Sequence, residues 1–203
     1  GDAGVFSFQE TKNIMTGEGG MVVTTNPEIA KKVRLIRNHG ESIPDATWDD
    51  ESLVNIVGMN FRMTELTAAL GIGQLGKMVE NNRQRTENSQ FLCASLKDID
   101  GITTPEYEEG VVPHVLPLLY SSSKTGVERI KVLAALRAEG IPVGSGYLRL
   151  MYENPIFLRK IAYGRNQCPW SCSMYDQKRE YKRGDCPVAE SLINEKFIWF
   201  YHI

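Results

Sequence analysis

One lysine near the start of the chain sits between two short apolar runs. Val5, Phe6 and Phe8 precede Lys12, and Met21-Val-Val-Thr-Thr25 follows it. Both runs have the residue types of strands, so the stretch reads as strand, lysine loop, strand. Gly17, Gly19 and Gly20 close the loop, where a missing side chain lets the backbone turn tightly or approach a bound group. A lysine in this setting is a solvated surface charge, a phosphate contact or an amine nucleophile, and residue types alone leave all three open. The third role has a clear requirement. The ammonium must lose its proton to attack an aldehyde, which burial or a neighbouring cation favours, and the same amine can afterwards carry protons.

A second constellation is Gly58-Met-Asn60-Phe-Arg62-Met-Thr64-Glu65-Leu66. Thr64 is an N-cap residue with Glu65 in the first turn and Leu66, Leu70, Leu75 and Met78 along one stripe, which predicts a helix. Asn60 and Arg62 then stand just before a helix N-terminus, where backbone N–H groups and the dipole favour an anion such as phosphate. The competing reading is that Asn60 caps a turn and Arg62 makes a surface ion pair. Gly71 and Gly73 inside this helix each cost about 1 kcal/mol relative to alanine. They suit a place where another helix packs closely, as at a subunit interface.

These groups need elements to position them. Asn26-Pro27-Glu28 predicts a helix start, with Ile29, Val33 and Ile36 at helical spacing and Lys31, Lys32, Arg34 and Arg37 as a solvated face. That helix should stop near Asn38-His39-Gly40, with His39 a helix-end or turn residue. Glu41 to Ser52 reads as a polar loop. Residues 80–99 read as a further helix that Gly101 breaks. Beyond it, His114 to Tyr120 reads as a strand in which Pro117 argues for an edge or an irregularity. Thr125-x-x-Glu128 has the pattern of a capping box opening a helix with Ile130, Leu133 and Leu136 on one face, ended by Gly140. Ile141 to Tyr147 reads as a short strand and turn, and Cys186-Pro-Val-Ala-Glu190 leads through a helix into a strand over Phe197–Tyr201.

Composition narrows the function classes. At 203 residues, with 42% hydrophobic and 24% charged residues, the chain suits one globular domain or two small ones. A formal net charge of −2 gives no electrostatic reason to expect nucleic acid or an anionic membrane as partner. No apolar run approaches the roughly 18 residues of a membrane helix, and no signal peptide opens the chain, so the expected location is cytoplasmic. Cys168 and Cys172 are separated by three residues with Cys186 downstream, but no histidine lies close in sequence. Free thiols are the expectation, with no metal site.

Ser7-Phe8, Lys12 and Gly17-Glu18-Gly19-Gly20-Met21-Val22 together resemble the cofactor-lysine segment of the DegT/DnrJ/EryC1/StrS family. These are sugar aminotransferases that use pyridoxal 5′-phosphate (PLP) on the fold type I scaffold. The resemblance implies that Lys12 forms the Schiff base with PLP and that Ser7 hydrogen-bonds its phosphate. PLP would supply the electron sink, and the protein position and electrostatics. The 58–63 segment resembles the family's Gly-x-Asn-x-Arg-Met motif, in which the asparagine reaches the cofactor phosphate of a neighbouring subunit. That implies a homodimer with shared active sites, to which Asn60 contributes.

The Gly-Ile-Pro-Val turn at 140–143 and the Cys186-Pro-Val-Ala-Glu190 segment resemble the family's C-terminal domain. The implied fold is mixed α/β, with residues 1–90 the end of the large PLP-binding domain and 91–203 a small C-terminal α/β domain. The family's full chain is about twice this long, so these residues read as its second half.

The implied reaction moves an amino group from glutamate or glutamine to a keto-sugar, usually nucleotide-linked, or to a keto-cyclitol. Leu148-Arg-Leu-Met-Tyr152 departs from the family's usual Pro-Leu-His or Pro-Leu-Tyr near the substrate edge, and Ala162-Tyr-Gly with Pro169-Trp170 looks closer to the keto-cyclitol branch. Arg62, Tyr147 and Arg149 are the substrate candidates, with packing and a surface pair as alternatives for the last two. Two other readings stand beside this one. Sugar dehydratases of the family replace the lysine with histidine, whereas Lys12 is kept here. A non-catalytic fragment or regulatory protein would keep the fold without activity.

Overall fold

A computed structural model describes residues 1–41, 56–146, 149–164, 166–175 and 179–200. All but the first residue of the loop expected at 41–52 lies outside them, as do Tyr147, Leu148 and Tyr201. The chain divides into two compact units, Gly1–Gln84 and Arg85–Ile203.

In the first unit the expected strand, loop and strand form an antiparallel hairpin. β1 (Gly4–Ser7) pairs with β2 (Gly20–Val23) in the register Gly4↔Val23 to Ser7↔Gly20. Helix α1 (Pro27–Arg37) starts as expected: the Asn26 side chain accepts from the backbone N–H groups of Glu28 at 2.9 Å and Ile29 at 3.2 Å. Its one buried residue is Leu35 rather than a member of the expected Ile29, Val33 and Ile36 stripe. The helix ends at the expected place, and His39 follows with φ of 60° in the left-handed region. Helix α2 (Glu65–Leu75) is capped by Thr64, which accepts from the Thr67 N–H at 3.2 Å. The expected apolar stripe is uncovered in this unit: Leu66, Leu70 and Leu75 are all exposed, and no α2 residue is buried. Helix α3 (Met78–Leu96) follows after a two-residue break.

The second unit contains a four-stranded antiparallel sheet made by β3 (Ile102–Thr103), β4 (Leu116–Tyr120), β5 (Val143–Ser145) and β6 (Phe197–Phe200), in the order β3-β4-β6-β5. In β4 the period of two is plain. Leu116, Leu118 and Tyr120 are buried while Leu119 is exposed, so one face carries the core. Pro117 is not on an edge strand, since β4 lies between β3 and β6. It is tolerated because β3 pairs only with Leu119 and Tyr120, leaving one flank of β4 open at the proline.

The expected capping box does not form. Ser122–Thr125 is a separate helical turn, α4, and helix α5 (Arg129–Ala138) begins after Glu128 with no side-chain cap. Thr125 instead pairs with the Tyr120 hydroxyl, which also donates to the Val127 carbonyl at 2.7 Å. A buried hydroxyl that needs a partner outweighs a helix cap available to water. Leu133 packs into the core and Leu136 beside it, but Ile130 is exposed.

After the short helices α6 (Pro155–Leu158) and α7 (Pro187–Ser191), a π-helical turn at Leu192–Lys196 leads into β6. The Arg129 guanidinium pins that turn. It donates to the carbonyls of Ile193 at 3.1 Å, Asn194 at 2.7 Å and Phe197 at 2.9 Å. Burial holds the Arg129 pKa below its ordinary value, yet the group remains a cation and its bonds are charge-assisted. Arg129→Ala is expected to cost about 2–3 kcal/mol in urea unfolding, because three carbonyls lose a charged donor at once. Arg129→Lys should recover little of it, since a single ammonium cannot match the fork.

Candidate active site

The loop that carries Lys12 is closed by the backbone. The Phe8 N–H donates to the Gly19 carbonyl and the Thr16 N–H to the Phe8 carbonyl, both at 2.9 Å, beyond the last β1–β2 pair. Within the loop, the Lys12 N–H donates to the Gln9 carbonyl at 2.9 Å, and the Gln9 side-chain oxygen accepts from the N–H of Thr11 at 3.0 Å and its hydroxyl at 2.6 Å. Lys12 is half-buried, and its ammonium has no hydrogen-bond or ion-pair partner among the described residues. Ser7, at the end of β1, is exposed. Its oxygen accepts from the Gln9 N–H at 3.3 Å, which leaves the hydroxyl proton free to donate.

Asn60 and Arg62 are brought together by a backbone crossing. A Cβ on Gly40 would lie 1.7 Å from the Ile56 carbonyl oxygen, and one on Gly58 would lie 2.2 Å from the Gly40 nitrogen, so only glycine fits at either position. The crossing lines the 59–61 segment along the end of α1: the His39 N–H donates to the Met59 carbonyl and the Phe61 N–H to the Arg37 carbonyl, both at 2.9 Å. Asn38 and Asn60 form an isolated antiparallel bridge. Arg62 Nη1 then donates to Asn38 Oδ1 at 2.5 Å, and the Arg62 N–H to Asn60 Oδ1 at 3.3 Å. Among the described residues the Asn60 amide nitrogen has no acceptor. Asn38 was not among the expected site residues, because an asparagine at a helix end reads as a cap and its partner is 24 positions away.

The end of the lysine loop and the Arg62 segment share a cleft of about 690 Å³. Its walls are mainly apolar, with Phe6, Met21, Val22, Ile36, Phe61 and Met63 among them, and Arg62 also lines it. Ser7, Lys12 and Asn60 do not. The structure therefore pairs Asn60 with Arg62 and places Ser7 at the end of the strand that opens the Lys12 loop.

In the second unit Arg149 is exposed, ahead of the buried Leu150, and Tyr147 lies outside the described residues. Tyr152, in the segment that departs from the family pattern, donates to Glu190 Oε1 at 2.6 Å. The same oxygen accepts from the N–H groups of Gly184 at 2.7 Å and Cys186 at 3.3 Å. The Tyr152 hydrogen bond, and after it those two backbone donors, hold the Glu190 carboxyl below its ordinary range. Burial, followed by the Glu190 bond, pushes Tyr152 up. All four cysteines carry free thiols.

The DegT/DnrJ/EryC1/StrS aminotransferase family matches residues 1–179. Spore coat polysaccharide biosynthesis protein SpsC of Bacillus subtilis is 31% identical over 184 residues, covering 86% of this chain and 47% of SpsC. A putative L-glutamine:3-amino-2,3-dideoxy-scyllo-inosose aminotransferase of Micromonospora echinospora is 28% identical over 207 residues, covering 100% of this chain and 48% of that protein. Among solved structures, Helicobacter pylori PseC, an aminotransferase involved in the biosynthesis of pseudoaminic acid, superposes with a TM-score of 0.73 at 25% identity, covering 99% of this chain and 48% of PseC.

Hairpin, lysine loop and antiparallel second unit thus define part of an aminotransferase fold of the PLP-dependent type. The chain belongs to the DegT/DnrJ/EryC1/StrS aminotransferase family. It spans about half the length of the curated relatives it matches.

Two predictions follow from this geometry. Gly58→Ala should force the crossing apart and break the Asn38–Asn60 bridge, which loss of amide-exchange protection at 59–61 would register. Glu190 has a folded-state pKa below the ordinary 4.5, so its contribution to stability is present above that pH and lost as pH falls through the folded value. Glu190→Gln should therefore lower the melting temperature near neutral pH and flatten the acid limb of stability against pH.

Proposed function

We propose that the chain is the lysine-bearing half of a PLP-dependent aminotransferase of amino-sugar biosynthesis, passing nitrogen from glutamate or glutamine to a keto-sugar or keto-cyclitol. The observation that carries this reading is the closed hairpin loop holding Ser7 and a half-buried, unengaged Lys12, in a chain that matches the family over residues 1–179. The name of the Micromonospora echinospora relative supports glutamine as donor and a cyclitol ketone as acceptor.

The residues present fit the cofactor. The Ser7 hydroxyl and the Asn60 amide nitrogen are uncommitted donors suited to a phosphate, and the Lys12 ammonium is uncommitted too. The buried Oδ1 of Asn13, next to Lys12 in sequence, also lacks a donor. When bound, PLP supplies the aldehyde that captures amines and the ring that takes up electrons. Lys12 Nζ would hold the cofactor aldehyde, and the same amine, when free, would serve as the base that carries a proton. Ser7 would hold the phosphate from the same chain and Asn60 that of a partner. Arg62 has donors left for a substrate anion beside the one given to Asn38, and Tyr147 and Arg149 complete the substrate set in this reading.

Residues 1–90 act as the end of the large domain and 91–203 as the small domain. The exposure of Leu66 (84%) and Ile72 (72%) on α2, with Val5 (78%) on β1, supports both a homodimer with shared sites and a requirement for the other half of the relatives' length. The same exposure favours the second reading for these 203 residues alone, a fragment inactive until completed. Among the described residues no helix is long and apolar enough to cross a membrane, and the reading places the enzyme in the cytoplasm.

Borohydride reduction with added PLP, followed by peptide mapping, tests the assignment. A reduced pyridoxyl group confined to Lys12, and lost in Lys12→Ala, is the expected result. Labels scattered equally over many lysines in the completed enzyme would overturn it.

A further inference from the structure

Thr16 is 4% exposed and, with Ser89, one of two buried polar residues among those described. It lies in a loop whose other members are exposed or half-buried. Its hydroxyl donates to the Glu18 carbonyl at 2.8 Å and its N–H to the Phe8 carbonyl at 2.9 Å. A Cβ built on Gly71, in the middle of α2, would lie 3.2 Å from Thr16 Cγ2, and one on Gly19 would lie 2.6 Å from Thr16 Oγ1. The threonine thus fills a seat between its own loop and a helix groove left open by a glycine. Gly73 has no neighbour within 4 Å, so of the two helix glycines only Gly71 has a packing partner here, and that partner is the loop.

We propose that Thr16 is the positioning residue for Lys12, locking the lysine loop onto α2 through Gly71. Three residues separate the two, and Lys12 itself lies in the turn begun at Gln9. The segment is therefore held at both ends, by the Phe8 ladder bonds and by the Thr16 seat. Ordering a loop backbone costs about 1–2 kcal/mol per residue, which buried contacts of this kind must offset. An amine that must meet one carbonyl carbon gains its rate from being held in place beforehand. Because α2 continues from Asn60 and Arg62, the seat also sets the spacing between the lysine loop and that segment within one chain. The inference rests on the reading of Lys12 as the cofactor amine.

The test uses Thr16→Val, which keeps the methyl against Gly71 but removes the donor to Glu18, Thr16→Ser, which keeps the hydroxyl but removes that methyl, and Gly71→Ala, which crowds the seat. Amide exchange over residues 12–19 and the share of borohydride-trapped pyridoxyl at Lys12 are read for each variant. In Thr16→Val, exchange should rise about tenfold and the Lys12 share should fall, with the melting temperature nearly unchanged. Gly71→Ala, by crowding the methyl, and Thr16→Ser, by deleting it, should act in the same direction. Unchanged exchange in Thr16→Ser or in Thr16→Val overturns the seat, and raised exchange with an unchanged Lys12 share overturns the positioning role. If the parent protein traps no pyridoxyl at Lys12 while Thr16→Val still loosens the loop, the seat stands and the cofactor reading fails.

Discussion

The first unit depends on how closely two backbones pass at Gly40 and Gly58. No side chain fits between them, and that contact lets the 59–61 segment run along the end of α1. From there the positions are linked in sequence. The Asn38–Asn60 bridge brings Arg62 onto Asn38, Thr64 caps α2 two residues later, and α2 presents Gly71 to Thr16 of the lysine loop. Each link is short: hydrogen bonds of 2.5–3.3 Å, a backbone crossing that admits no Cβ, and a contact at Gly71 that a Cβ would crowd. Lys12 and Asn60, 48 residues apart in sequence, thereby belong to one compact unit.

The second unit is built differently. Its core is the buried face of β4, with Ile198 of β6, Val143 of β5 and Leu133 of α5, and non-directional burial drives it. Two polar devices then specify its details. Arg129 ties the start of α5 to the π-helical turn, and Glu190 gathers Tyr152 and two backbone donors onto one oxygen. The second device anchors Tyr152 at the end of the 149–152 segment.

Much of this architecture was legible in the residues. The hairpin followed from two apolar runs, α1 from Asn26-Pro27-Glu28, and the start of α2 from Thr64, because each signal is local and its physics acts within a few positions. The capping box at Thr125 failed because a buried tyrosine hydroxyl competed for the threonine, and Ile130 was misplaced with it. Pro117 argued for an edge position or an irregularity, and its strand is interior but unpaired with β3 from Leu116 to Leu118. Asn38, Thr16 and the Tyr152–Glu190 pair were missed since their partners lie 24, 55 and 38 positions away, beyond any periodicity.

The sequence by itself determined which chemistry is on offer: a lysine amine five residues from a serine, and an asparagine and an arginine ahead of a capped helix. Those are matters of residue type and near spacing. Only the tertiary structure decided which groups are already engaged and which stay free. Arg62 is committed to Asn38 through one nitrogen, Asn60 keeps its amide donors, and the Lys12 ammonium is without a partner among the described residues. The reason is physical: a hydrogen bond is satisfied by whatever the fold brings within about 3 Å, and chain distance carries no information about that.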